Sequence, residues 1–229
     1  ILEASRLTGT KRVVFCSSGT VYGGALSVLK GEPITEDFTF KCLSNRPPSP
    51  YAVSKLACEY LGLSYFARFG LDFTAVRFAG VFGPWKGVPG GLPGWVIRDL
   101  VEPPALGKSV LIEPHSTYPD TMEFVYSWDA ANGLVLACFA PAEKLRNRVY
   151  NIGMGKLYRH AELLDLARKM FPKVKIEKRE ASEAGMGGYG SFTQPYDLST
   201  ARNEIGYQPK YFMEEAMRDY AQWVKSYLA

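Results

Sequence analysis

A tyrosine and a lysine four residues apart can move a proton, and this chain carries such a pair in the run Tyr51-Ala52-Val53-Ser54-Lys55. On a helix that spacing puts both side chains on one face, one turn from each other. A phenol alone, with a pKa of about 10, is a poor base at neutral pH. A neighbouring ammonium favours the phenolate and brings it toward the working range. Of 14 tyrosines, Tyr51 alone has a lysine at that distance. By itself the spacing also fits an amphipathic helix with an exposed lysine, so its meaning rests on the elements around it.

Those elements read as alternating strands and helices. Residues 12–16 form a β-branched apolar run ending in Ser17, Ser18 and Thr20, the pattern of a buried strand with hydroxyls at its carboxyl end. Open α/β sheets bind ligands just beyond that end. Residues 23–50 are long, mixed in polarity and rich in proline, and read as a loop leading to the Tyr51 helix. Pro50 opens that helix and Gly70 closes it, predicting a helix over residues 50–69 with Ala52, Leu56, Tyr60 and Leu63 along one stripe for core or subunit contact. A second strand is predicted over 73–78, followed by a Gly/Pro-dense loop over 83–94 that could close over a ligand or simply connect.

Further along, a helical pattern over 95–101 is predicted to stop at Pro103-Pro104. Strands are predicted at 109–112, 123–126, 149–152 and 174–176. Helices are predicted at 129–139, capped around Ser127, and at 159–170. The last helix, 213–228, repeats Ala216, Met217, Tyr220, Trp223 and Val224 at helical spacing, a core stripe.

Composition bounds the rest. The chain has 229 residues, 47% of them hydrophobic, enough for one sizeable core, and a mild formal charge of +4. No apolar run is long enough to span a bilayer, no signal peptide is evident, and Cys16, Cys42, Cys58 and Cys138 follow no disulfide or metal spacing. A reducing, cytoplasmic setting is expected. His115 and His160 stand far apart, so no metal site is expected. The densest basic segment, Arg168, Lys169, Lys173, Lys175, Lys178 and Arg179, is broken by Glu177 and Glu180 and reads as a solvated surface rather than a nucleic-acid groove. Gly185-Met186-Gly187-Gly188-Tyr189-Gly190 spells G-x-G-x-x-G, but no helical pattern follows it, so it reads as a substrate-side loop.

Taken in order, several motifs together resemble the NAD(P)-dependent epimerase/dehydratase family of extended short-chain dehydrogenases. They are Cys16-Ser17-Ser18-Gly19-Thr20-Val21-Tyr22-Gly23, Pro50 to Lys55, Arg77 to Pro84, Phe124-Val125-Tyr126-Ser127-Trp128-Asp129, Tyr150-Asn151-Ile152-Gly153 and Asp197 to Arg202. The resemblance implies an α/β fold: a Rossmann-like doubly wound parallel sheet, here without its leading strands, and a smaller C-terminal substrate lobe. Residues 1–83 would be the later part of the NAD(P)-binding domain with the catalytic helix. Residues 84–229 would be mainly the substrate lobe, with segments returning to the Rossmann core. The family's glycine-rich turn and its NAD/NADP selector would precede Ile1, so the chain reads as a piece of a longer protein; the alternative is a naturally reduced form.

The resemblance also assigns roles. Tyr51 would be the general acid/base, Lys55 would support it and hold the nicotinamide ribose, and Ser18 would hydrogen-bond the substrate oxygen. Cys16, Ser17, Ala79, Gly80 and Val81, with Tyr51 and Lys55, would line the NAD or NADP site. Ser18, Gly19, Thr20 and Gly80 would face a small-molecule or sugar substrate. Pairing of two copies through the catalytic helix is implied. Dehydratases of the family carry Asp-Glu where this chain has Gly19 and Thr20, which argues against elimination chemistry. Nucleotide-sugar epimerases usually have Asn at Gly80 and Arg at Met122, so a diphosphate clamp looks incomplete. Arg98 or Lys86 could bind an anion or simply be solvated. Three readings follow: hydride transfer at a hydroxyl-bearing carbon of a small or sugar-like substrate, a nucleotide-sugar 4-epimerase, and a non-catalytic cofactor-sensing scaffold.

Overall fold

In a computed structural model the chain enters through a short helix, α1 (Leu2–Leu7), and then forms the strand bearing the hydroxyl residues, β1 (Val13–Ser18). Residues 1–28, 31–37, 49–85, 92–112, 121–178 and 194–228 are described. A 3-10 stretch, Gly19–Val28, leaves the end of β1. The next regular elements are α2 (Pro50–Phe69), β2 (Phe73–Phe78), β3 (Gly80–Phe82) and α3 (Leu92–Ala105). The chain continues through β4 (Val110–Ile112), β5 (Thr121–Tyr126), α4 (Ser127–Phe139), β6 (Val149–Ile152) and β7 (Leu157–Arg159). It closes with α5 (His160–Met170), β8 (Ile176–Lys178), α6 (Ser199–Ile205) and α7 (Met213–Tyr227).

Three strands make the sheet that carries the site, in the order β1-β2-β6, all parallel. Val13 lies opposite Phe73 and Ser18 opposite Phe78, so β1 and β2 end together. β2 is central, and its side chains from Phe73 to Arg77 are buried, as expected of a strand covered on both faces. Beyond its end, β3 continues into a second sheet, parallel to β5, which pairs antiparallel with β7. β4 and β8 form a separate parallel pair.

α2 forms where its end signals place it. Ser49 Oγ accepts the Ala52 N–H at 3.2 Å, Pro50 opens the first turn, and Gly70 closes the helix at φ 68°. Gly62 lets this helix settle onto the sheet, because a Cβ there would overlap the Phe73 ring. The largest core lies elsewhere, where α3, α5, α7 and β5 bury Ile97, Leu100, Leu163, Phe124, Met217 and Tyr220 together. A second core lies beneath the end of β1 and includes Tyr22, Val76, Val125, Tyr150, Ile152 and Tyr196.

Two local expectations are corrected. α3 runs through Pro103 and Pro104 to Ala105. Each proline lacks its own N–H, but both carbonyls still accept, from Leu106, Gly107 and Lys108, and Gly107 at φ 73° ends the turn. Ser127 is the first helical residue of α4, not its cap; Tyr126 stands at the cap, and its side chain does not bond the helix end. Of the α2 stripe given to core or subunit contact, Tyr60 is 66% exposed and so lies outside the core.

Candidate active site

Lys55 brings the helix that carries Tyr51 to the carboxyl end of β1. Lys55 Nζ donates to the Cys16 carbonyl at 2.7 Å. The same nitrogen lies 5.6 Å from the Tyr51 ring centroid and 5.0 Å from that of Phe15. Tyr51 and Lys55 therefore share one side of the first turns of α2, and the Tyr51 ring is half-exposed rather than turned into the core. Ser18 Oγ accepts both the backbone N–H and the hydroxyl of Thr20, at 3.2 and 3.1 Å. With its lone pairs so used, Ser18 keeps its own proton to donate.

The remaining expected residues lie along the ends of the neighbouring strands. Because Ser18 pairs with Phe78, Gly19 and Thr20 leave the sheet beside Ala79, Gly80 and Val81. Ala79 is buried, and its N–H donates to the Ile152 carbonyl at 2.9 Å; Val81 is exposed. Cys16 is exposed, and burial of part of its surface pushes its thiol above the ordinary value while Lys55 works in the opposite direction. Ser17 turns the other way: it is buried and donates its hydroxyl to Glu59.

Glu59 opens a buried polar network that sequence reasoning did not assign. Arg77 Nη2 meets Glu59 Oε2 at 2.7 Å and Arg77 Nε meets Oε1 at 3.0 Å, both side chains being buried. Arg77 Nη1 donates to the Tyr22 hydroxyl at 3.1 Å and to the Glu36 carbonyl at 2.8 Å, and Tyr22 in turn donates to Asn151 Oδ1 at 2.6 Å. Burial pushes the Tyr22 phenol well above its ordinary range, with Arg77 opposing. Two signals pointed here: an acid one turn after Lys55, and an arginine inside an otherwise apolar strand, neither of which is buried alone. Together with the Lys55 contact, this network ties α2 to β1 at two consecutive residues, Cys16 and Ser17.

A second carboxylate, Glu123 on β5, accepts the Gly155 N–H at 2.8 Å and the Tyr196 N–H at 2.6 Å. Burial pushes it up to about 8, against the pull of backbone donors from Tyr196, Gly155 and Met154. Its neighbour Met122 is partly buried and pairs across to Tyr158. Arg98 is engaged locally, 3.0 Å from Glu102 and stacked over Trp95. Lys86 and the Gly185 to Gly190 segment lie outside the described residues. A cleft of about 790 Å³ runs past Met154, Lys156, Tyr196, Arg202 and Phe212, and its lining does not include Ser18, Tyr51 or Lys55.

A parallel sheet with a serine at one strand end, and a tyrosine and lysine one helical turn apart on the following helix, marks a Rossmann-type α/β protein. Residues 1–153 match the model of the NAD dependent epimerase/dehydratase family, and the chain belongs to that family. UDP-glucuronate 4-epimerase 3 of Arabidopsis thaliana is 28% identical, over 94% of this chain and 49% of its own length. The UDP-glucuronate 4-epimerase of Thermodesulfobacterium geofontis is 26% identical, over 98% of this chain and 62% of its own length. The chain spans about half the length of the curated relatives it matches first. The crystal structure of UDP-glucose 4-epimerase from Thermus thermophilus, in complex with NAD, has a TM-score of 0.77 and 27% identity, covering 99% of this chain and 68% of that one.

Proposed function

We propose that the protein to which this chain belongs is an NAD(P)-dependent oxidoreductase or epimerase acting at a hydroxyl-bearing carbon of a small or sugar-like substrate. The observation that carries this reading is the position of Lys55, between the Cys16 carbonyl at the end of β1 and the ring of Tyr51. Tyr51 takes the proton from the substrate hydroxyl, or returns it to the carbonyl. Lys55 sets its positive charge beside the phenol ring. Ser18, its lone pairs occupied by Thr20, donates to the same substrate oxygen and stabilises charge developing there.

The donor set suits a nicotinamide ribose. Among the described residues one of the three Lys55 donors is taken, by Cys16, which leaves two for ribose hydroxyls. Cys16, Ser17, Ala79, Gly80 and Val81 would flank the ring, Ser17 through its backbone because its hydroxyl is committed to Glu59. When bound, the nicotinamide supplies the acceptor and donor of the hydride. Gly19, Thr20 and Gly80 then border the substrate. Residues 1–83 serve as part of the cofactor domain, and residues 84–229 mainly form the substrate lobe, with β6 returning to pair with β2. Val53, Tyr60 and Leu61 are exposed along α2, which supports pairing of two copies through this helix.

Among the described residues no helix is long and apolar enough to cross a membrane. A nucleotide-sugar 4-epimerase is the second reading, favoured by the curated relatives. Against it stand Gly80 and the apolar Met122, which cannot neutralise a diphosphate. Net reduction of NAD by a free alcohol supports the first reading; interconversion of nucleotide sugars without net reduction supports the second. In the full-length protein, Tyr51→Phe is expected to lower turnover by about 10²–10⁴-fold while cofactor binding, read by titration, is kept. Wild-type turnover in that variant would refute the assignment.

A further inference from the structure

Gly19 stands between Ser18 and Thr20, where β1 gives way to the 3-10 turn. Its φ is not positive, so backbone conformation does not call for glycine here. Space does. A Cβ on Gly19 would overlap the Tyr196 hydroxyl and lie 2.7 Å from Tyr196 Cζ. A residue from near the other end of the chain is thus pressed against the turn that bears Ser18.

Tyr196 is held firmly in that place. Its ring is 3% exposed and meets Tyr22 edge-on at 5.7 Å between centroids. Its backbone N–H donates to Glu123 Oε2 at 2.6 Å. On either side, Ile34 N–H donates to the Pro195 carbonyl at 2.8 Å and Asp197 N–H to the Ile34 carbonyl at 2.9 Å. Glu123 is itself seated closely, since a Cβ on Gly153 would overlap its Oε1. The phenol therefore has little room to withdraw from Gly19.

We propose that Tyr196 is a positioning residue for Ser18: Gly19 and Tyr196 form a matched pair that fixes the turn from which the Ser18 and Thr20 hydroxyls project, and so joins the C-terminal lobe to the proton-transfer site. The inference rests on the roles given above to Ser18 and Tyr51. A side chain at position 19 must displace either the Tyr196 ring or the turn, and a 1 Å error in placing a reacting group costs about 10²-fold in rate. The same contact bars a larger residue at position 19, so an acidic group for elimination cannot be installed there while Tyr196 stays in place.

The test is a double-mutant cycle in the full-length protein, with Gly19→Ala, Tyr196→Leu and their combination, and Tyr196→Phe as a variant that removes the hydroxyl alone. Gly19→Ala is expected to lower kcat by about 10–100-fold, with cofactor affinity changed less than about threefold. Tyr196→Leu is expected to lower kcat by about tenfold, and the double variant to fall no further than Tyr196→Leu alone rather than by the product of the two losses. Tyr196→Phe, which removes the atom a Cβ at position 19 would meet first, should leave the melting temperature near wild type and, combined with Gly19→Ala, recover part of the lost kcat. Additive losses in kcat would overturn the matched pair, as would losses that only follow the folded fraction, or no recovery of kcat when Tyr196→Phe is combined with Gly19→Ala. These outcomes are read with Tyr51→Phe inactive. Full turnover in Tyr51→Phe overturns the site assignment, and this inference with it.

Discussion

α2 and α7 are both long helices, of 20 and 15 residues, yet they are held by different means. α7 buries Met213, Ala216, Met217, Tyr220, Ala221 and Val224 in one apolar stripe. α2, though longer, buries only Ala52, Glu59 and Gly62. What locates α2 is directional: Lys55 on the Cys16 carbonyl, Ser17 on Glu59, and Arg77 gripping Glu59 from the neighbouring strand. Apolar burial is strong but tolerates sliding, whereas hydrogen bonds and ion pairs fix distance and angle. The helix that bears Tyr51 is thus set in register with β1 mainly by such bonds, while α7 adds two of them, Tyr126 to Asp219 and Tyr220 to Glu102 at 2.6 Å each, to a far larger apolar seat.

The contrast can be broken most forcefully at Glu59. Glu59→Ala leaves Arg77 buried without its partner and is expected to cost about 3–5 kcal/mol in denaturant unfolding, with turnover falling beyond the loss of folded protein. Met217→Ala in α7 should cost about 2–5 kcal/mol through its cavity, with kcat per folded molecule unchanged. A Glu59→Ala cost below about 1 kcal/mol would show that packing, not the ion pair, seats α2.

A second test sharpens the contrast within β5, where Phe124 faces the α7 core and Glu123 holds the segment bearing Tyr196. Burial raises the Glu123 carboxyl from 4.5 to about 8, so between those values the folded protein keeps a proton that the unfolded chain releases. Its contribution is fully present below about pH 4.5 and fades as pH rises toward 8, by at most about 1.4 kcal/mol per unit. Urea unfolding at a series of pH values should show that slope, and Glu123→Gln should flatten it. An equal slope in both would assign it to another group.

The smallest effect on stability is expected on the outer face of α2. Leu61→Asp, at an exposed position, should change unfolding free energy by no more than about 0.5 kcal/mol, yet convert the proposed dimer to monomer in sedimentation. An unchanged sedimentation coefficient would exclude this face as the contact.

Much of this was legible in the residues. Pro50 and Gly70 bracket α2, the β-branched run marks β1, and the stripe from Ala216 to Val224 marks α7, because each signal is local. β3, β7 and α6, at 3, 3 and 7 residues, are too short to show a period. The Tyr51–Lys55 pair could be read from one helical turn. The Glu59–Arg77 pair and the contact of Tyr196 with Gly19 could not, since both depend on how distant segments are registered in space.

The ion pair beneath the site has a bearing on descent as well. Glu59 and Arg77 stand eighteen positions apart on a helix and a strand, and either charge alone would be stranded out of reach of water. A lineage that loses one must lose the other at nearly the same step or tolerate a crippled intermediate. Among diverged sequences the two positions should therefore change together, acid with base or neutral with neutral, and mismatched ancestors should be scarce.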